Sequence, residues 1–215
     1  MNFFFKRNLF AVIFVLIAFS IKSSEITIEK YDHARDSVAI EKILQDHYHY
    51  LCYESAGLPA GTTMQYIMSN KYITDVIRID NKTVGFINYL VNNAEFLTFQ
   101  FGRGGIVHLL GIDSDYQGHG YGKQLLQHAI GQMCAQYVSS IVINAKIDNT
   151  KARSLYEKNG FACVFSYGSD CIYLRAFNVP ADKLPQGNII QRHKKASLAL
   201  MLGTLGGLIW WKYIY

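Results

Sequence analysis

Six residues, Gln117-Gly118-His119-Gly120-Tyr121-Gly122, separate an apolar run over 105–112 from a segment over 120–136 in which Leu125, Leu126, Ala129, Ile130 and Met133 recur at helical spacing. A chain that passes from a strand through such a turn into a helix leaves the first helical N–H groups without partners. It also aims the positive end of the helix dipole at them, which makes an anion site. The glycines let these amides approach a pyrophosphate closely. The spacing is not the dinucleotide fingerprint, since Lys123 and Leu125 occupy the places where its last glycine would fall. It is not a Walker loop either, because Gln124 follows the lysine. A strand-turn-helix unit of this kind demands a sheet with helices packed on it.

The rest of the middle of the chain supplies that sheet. Residues 26–32 alternate as an opening strand, and Val38, Ile40, Ile43, Leu44 and His47 predict a helix running through about Tyr50. Gly57, Pro59 and Gly61 break the chain before a short helix over 62–70. Strands over 72–79 and 83–91 flank the turn Asp80-Asn81-Lys82 and predict a hairpin, and 92–104 reads as a loop or hairpin tip. After the helix over 120–136 come a β-branched strand over 139–147 and a helix opened by Asn149 and stopped by Asn159-Gly160. Two last strands join through Gly168-Ser169-Asp170. The expected fold is α/β, a single domain with a mixed sheet flanked by helices.

Half of the 215 residues are hydrophobic and 17% are charged, which excludes a disordered chain. The net charge of +5 is concentrated at the ends, in Lys6, Arg7 and Lys22 and in Lys183, Arg192, Lys194, Lys195 and Lys212, so the middle is slightly acidic. That distribution argues against nucleic acid as a partner, which requires cations clustered on a folded face. Cys52, Cys134, Cys163 and Cys171 form no C-x-x-C pair and have no histidine at zinc spacing, so no metal is expected. A Cys163–Cys171 bridge becomes plausible only in an oxidising compartment.

The segment 117–122 fits [Q/R]-x-x-G-x-[G/A]. About thirty residues later Asn149, Ala152, Tyr156, Gly160 and Phe161 fit N-x-x-A-x-x-x-Y-x-x-x-G-F. With these two motifs in this order the chain resembles the GCN5-related N-acetyltransferases over roughly residues 26–177. The resemblance implies acetyl-CoA as co-substrate, held by the backbone of Ile112 and of Gln117, Gly118, Gly120, Gly122 and Lys123. It also implies direct transfer of acetyl to a primary amine in a ternary complex. Asn149 either holds the pantetheine arm or serves only as a helix N-cap. The contrasting expectation is a non-catalytic acyl-CoA binder or interaction protein.

Acetyl transfer to a lysine-like amine of pKa ~10.4 needs a proton acceptor, and a departing thiolate of pKa ~8.5 benefits from a donor. The resemblance places Tyr156 as that donor, the alternative being a packed helix tyrosine. It often places a glutamate base where this chain has Ile106, whereas His108 lies two residues on along the same strand face. His108 reads equally as base or as a satisfied core histidine. In His47-Tyr48-His49-Tyr50 the two histidines are spaced against a metal pair. The tyrosines, with Tyr53, are either substrate contacts or an aromatic helix face.

Residues 1–23 read as a signal-like or membrane-anchor segment, with an uncharged apolar run over 9–21. The domain is expected over 24–178 and a basic linker over 179–195. A transmembrane helix over 196–212 is flanked by Trp210, Trp211, Tyr213 and Tyr215. Gly203 and Gly207 offer a helix-packing face for a homodimer. Basic residues before both apolar runs give conflicting orientations. The need for acetyl-CoA favours a membrane-associated domain facing the cytosol.

Overall fold

The computed structural model describes residues 24–92 and 103–180. Seven strands form one sheet in the order β1-β2-β3-β4-β5-β7-β6. They are β1 (Ile26–Lys30), β2 (Ile73–Ile79), β3 (Lys82–Asn92), β4 (Arg103–Ile112), β5 (Val138–Lys146), β6 (Ala162–Tyr167) and β7 (Asp170–Ala176). All neighbours are antiparallel except β4 and β5. The helices are α1 (His33–Asp46), α2 (Tyr48–Leu51), α3 (Thr62–Met68), α4 (Tyr121–Cys134) and α5 (Thr150–Lys158). Single 3₁₀ turns occur at Tyr53–Ala56 and Ser114–Tyr116. The mixed α/β fold expected from the sequence is the fold observed.

Turn chemistry set the hairpins. Asp80 and Asn81 both adopt positive φ, 48° and 68°, which matches the twist of the strands they join, and Gly168 does the same at 55° between β6 and β7. Each sheet face carries its own core. Val84, Tyr89, Val107, Ile141, Ile143 and Tyr173 pack under α4 through Leu125, Leu126, Ala129 and Met133. Val76, Phe86 and Leu109 pack on the opposite face under Ile40, Ile43 and Leu44 of α1 and Ile67 of α3.

That Val107 and Leu109 belong to opposite faces, two residues apart, shows that the alternation of β4 breaks between them. Tyr89 is opposite Val107 and Asn88 is opposite Leu109, so His108 is an extra residue in β4, a bulge. The strand expected over 105–112 is observed with this one extra residue. The strand also starts earlier, at Arg103. A second difference is at His47, where the backbone leaves helical geometry (φ −122°, ψ 30°) and divides the expected helix into α1 and α2.

A buried ion pair fastens α1 to the sheet. Arg78 on β2 donates through Nη2 to both oxygens of Asp36, at 2.7 and 2.6 Å, and through Nη1 to Glu29 at 2.6 Å. Thr83 donates to Asp36 at 2.7 Å, and the Asp32 amide does so at 2.8 Å. Asp36 is wholly buried and Arg78 is 1% exposed. Burial pushes the Asp36 carboxyl up, but the Asp32 amide, Arg78 and Thr83 outweigh it and hold the group below the ordinary carboxylate value.

Among the described residues no helix is long and apolar enough to cross a membrane. The signal-like segment over 1–23, the linker from 181 onward and the expected helix over 196–212 lie outside the described residues, as do residues 93–102 of the loop predicted over 92–104, whose ends Asn92, Arg103 and Gly104 belong instead to β3 and β4.

Asp36→Ala strands a buried guanidinium and is expected to cost about 3–5 kcal/mol by chemical denaturation. Because the folded pKa of Asp36 lies below the unfolded one, its contribution is full above the unfolded value and is lost as pH falls through the folded value. Asp36→Asn should therefore flatten the acid limb of the stability curve. An unchanged acid limb would remove this carboxylate from the account.

Candidate active site

The parallel ladder of β4 and β5 runs only from Arg103↔Val138 to Val107↔Ile143, although β4 continues to Ile112 and β5 to Lys146. Beyond the bulge the two strands part. A cavity opens between them, lined by Tyr50, Leu51, His108, Leu110, Asn144, Lys146, Asn149 and Tyr156 among others. The edge of β4 beyond Val107 has no strand partner on this side, and its polar backbone is available to a ligand chain.

The loop at the end of that edge is built as the sequence predicts. Gly118 and Gly120 have φ of 83° and 86°, and a Cβ on either would meet nothing within 4 Å. The conformation, not crowding, is what requires glycine there. Gly120 is the N-cap of α4 and supplies no side-chain cap, so the first amides of this 14-residue helix stay open to an anion. Gly122 has ordinary φ and room for a methyl group, with Ile112 and Leu155 at 3.6 Å. Lys123 is exposed on the first turn of α4.

The side chain of Gln117 is engaged within the fold. Its Oε1 accepts from Lys151 at 3.0 Å and its Nε2 donates to the Ile112 carbonyl at 3.3 Å, so the side chain ties the loop to the end of β4 and to α5. Asn149 caps α5, accepting from the Ala152 amide at 3.1 Å, and it also lines the cavity. The cap uses its oxygen, which leaves the Nδ2 donors as what it can offer a ligand.

Tyr156 projects from α5 into the cavity and is 5% exposed, its ring set by Phe161 at 6.2 Å and Tyr173 at 5.8 Å between centroids. Burial, and secondarily the neighbouring Tyr173, raises its pKa well above the ordinary tyrosine value, so the phenol stays protonated at any physiological pH. His108 reaches the cavity from the bulge. Tyr53 Oη lies 3.2 Å from its Nδ1, Tyr72 meets its ring edge-on at 4.7 Å, and Tyr66 stacks at 6.2 Å. The structure therefore brings Tyr156, His108 and Asn149 to one cavity, while Ile112 and the glycine loop lie further along β4, outside its lining.

Sequence reasoning missed the tyrosines around His108 from α3 and the start of β2, which no local pattern ties to β4. It placed His47 on the helical pattern and set it aside as a metal ligand, whereas its Nε2 lies 3.1 Å from the Ile112 carbonyl. At the same junction Asp113 is 4% exposed and bound by Lys42 at 3.0 Å. Burial would raise that carboxyl, yet the Asp115 amide and Lys42 hold it below its ordinary value.

All four cysteines are free. Burial, reinforced by Glu54, pushes the Cys52 thiol up to about 11, and no cysteine lines the cavity. Among the described residues no group of histidine, cysteine or carboxylate side chains could hold a metal ion.

A sequence profile of the Acetyltransferase (GNAT) family matches residues 31–161, and the chain belongs to that family. The chain covers a third or less of the length of the curated relatives it matches. It is 35% identical over 57 residues to N-alpha-acetyltransferase 30 of Saccharomyces cerevisiae, a match that covers 26% of this chain and 32% of the yeast protein. The fold is shared with PaiA N-acetyltransferase from Thermoplasma acidophilum in complex with coenzyme A. The TM-score is 0.53 and the identity 19%, over 71% of this chain and 99% of that one. It is also shared with NAA60 of Arabidopsis thaliana in complex with a bisubstrate analogue, with TM-score 0.58 and 15% identity over 73% and 100% of the two chains.

Gly120→Val should strain the loop by about 1–2 kcal/mol and project a branched side chain into the space before the helix amides. Calorimetry is expected to show acetyl-CoA affinity lost in a folded protein, while Gly122→Ala binds as wild type. Unchanged binding by folded Gly120→Val would overturn the loop assignment.

Proposed function

We propose that the chain transfers acetyl from acetyl-CoA to a primary amine by direct attack, with amine and co-substrate bound together. The observation that carries this is the cavity where β4 and β5 part, which receives His108 from the sheet and Tyr156 from α5. Acetyl-CoA supplies an activated acyl group with a thiolate leaving group. The unpaired edge of β4, the Gly118 to Gly120 turn and the open N-terminus of α4 are suited to hold its extended arm and its pyrophosphate.

His108 is placed to take the proton that the acceptor amine must lose. Tyr156, kept neutral by burial, is placed to donate a proton where thiolate charge develops. Among the described residues neither cysteine nor serine lines the cavity, which is consistent with direct transfer. The similarity to an N-alpha-acetyltransferase makes a peptide N-terminus the first acceptor to try. On the sequence alone we place the domain at a membrane through residues 196–212, facing the cytosol where acetyl-CoA is made. Protease protection in sealed vesicles tests this, and digestion only from the opposite side would reverse the orientation.

Labelled acetyl-CoA incubated with the protein and a panel of amines and peptides, read by mass spectrometry, tests the activity. Cofactor binding without product or thiol release on any acceptor would instead favour a non-catalytic binder. Tyr156→Phe should lower kcat by about 10² to 10⁴-fold with acetyl-CoA affinity nearly unchanged, since only the hydroxyl is lost. His108→Ala should lower kcat by a similar factor, again with acetyl-CoA affinity nearly unchanged. Wild-type turnover in either variant removes that residue from its role.

A further inference from the structure

We infer that His47 is a positioning residue for acetyl-CoA. By gripping the last carbonyl of β4 it sets the Ile112 amide toward the co-substrate, and it registers the acceptor-side wall against that edge. The inference rests on the reading of the β4 edge as the acetyl-CoA site.

Three contacts converge on the ring. Its Nε2 lies 3.1 Å from the Ile112 carbonyl oxygen, 3.1 Å from Gln117 Nε2 and 3.4 Å from Ser114 Oγ. Lys151 donates to Gln117 Oε1 at 3.0 Å, which fixes the amide orientation and turns Nε2 to donate to the Ile112 carbonyl. We assign His47 the Nε2–H tautomer, in which the ring donates to the same carbonyl and the neighbouring Gln117 nitrogen is a close contact and not a bond partner of the ring. That oxygen then receives one donor on each lone pair.

The peptide between Ile112 and Asp113 is thereby held from both sides, because the Asp113 amide donates to the Val84 carbonyl at 2.9 Å. In a strand, the N–H and C=O of one residue point to the same edge. The Ile112 carbonyl points away from β3, so its amide does too, toward the side where β4 and β5 have parted. Fixing the one orients the other.

His47 is also where α1 ends and α2 begins. The four residues that follow carry Tyr50 and Leu51 into the lining of the cavity. One side chain thus fixes the co-substrate edge and the start of the acceptor wall in a common frame, and neither α1 nor the loop could shift without breaking the Ile112 bond.

The test compares full-length wild type, His47→Ala and His47→Gln. Glutamine carries an amide nitrogen that can take the place of Nε2. Loss of the donor should raise the KM and Kd for acetyl-CoA about tenfold in His47→Ala, with kcat at saturation changed much less. His47→Gln should recover most of that loss. A residue serving only stability would lower Tm and the active fraction in both variants and leave the acetyl-CoA KM where it was. An unchanged acetyl-CoA KM in His47→Ala overturns the inference, as does a His47→Gln protein of wild-type Tm that binds no better than His47→Ala. Wild-type protein that fails to bind acetyl-CoA by calorimetry would instead overturn the reading of the β4 edge itself.

Discussion

Everything at this site follows from the short ladder between β4 and β5. Two parallel strands in the middle of a sheet ordinarily satisfy each other's backbone along their whole length. Here the pairing stops at Val107↔Ile143. The stop coincides with the extra residue His108, and a bulge bends its strand and increases the local twist. One inserted residue therefore produces the opening between the strands and carries an imidazole into it. It also turns Leu110 and Ile112 to the α4 face, beside the loop that ends the strand.

An opening in the centre of a sheet weakens the fold, and polar bonds from α1 brace it on one side. Arg78 and Asp36 fix the start of α1 over β2. Lys42 reaches Asp113, and His47 reaches Ile112, at the far end of the same helix. On the other face, α5 is fastened by Arg153 to Tyr173 at 3.0 Å and by Tyr173 to Glu157 at 3.1 Å, and these bonds steady the helix that carries Tyr156. Sheet residues on both sides of the gap are thus tied to helices, so the width of the opening is a property of the whole domain.

What the sequence revealed and what it hid divide along a physical line. Features specified within a few residues were legible: the Asp80-Asn81 turn, the Gly168 turn, the Asn149 cap and the glycine loop into α4. Features that depend on contacts across the fold were not. A period of two cannot register a bulge, because the residues on either side of His108 are all apolar and fit an unbroken alternation equally well. Nothing near Asp36 announces Arg78, 42 positions away. The contact of His47 with the Ile112 carbonyl was invisible because its partner lies 65 positions along the chain. Tyr156 and His108 were found by motif and by strand position, yet only the fold shows that they meet in one cavity.

The inward turn of Gln117 bears on why its motif position admits glutamine or arginine. These residues differ in charge, shape and hydration, and a position that touched a ligand would hardly treat them as equivalent. What they share is an N–H group at the end of a flexible stem. A side chain whose work is to donate to the carbonyl at the end of β4 requires only that much. The bond closes the end of the strand, and the glycines beside it leave open space before the first amides of α4.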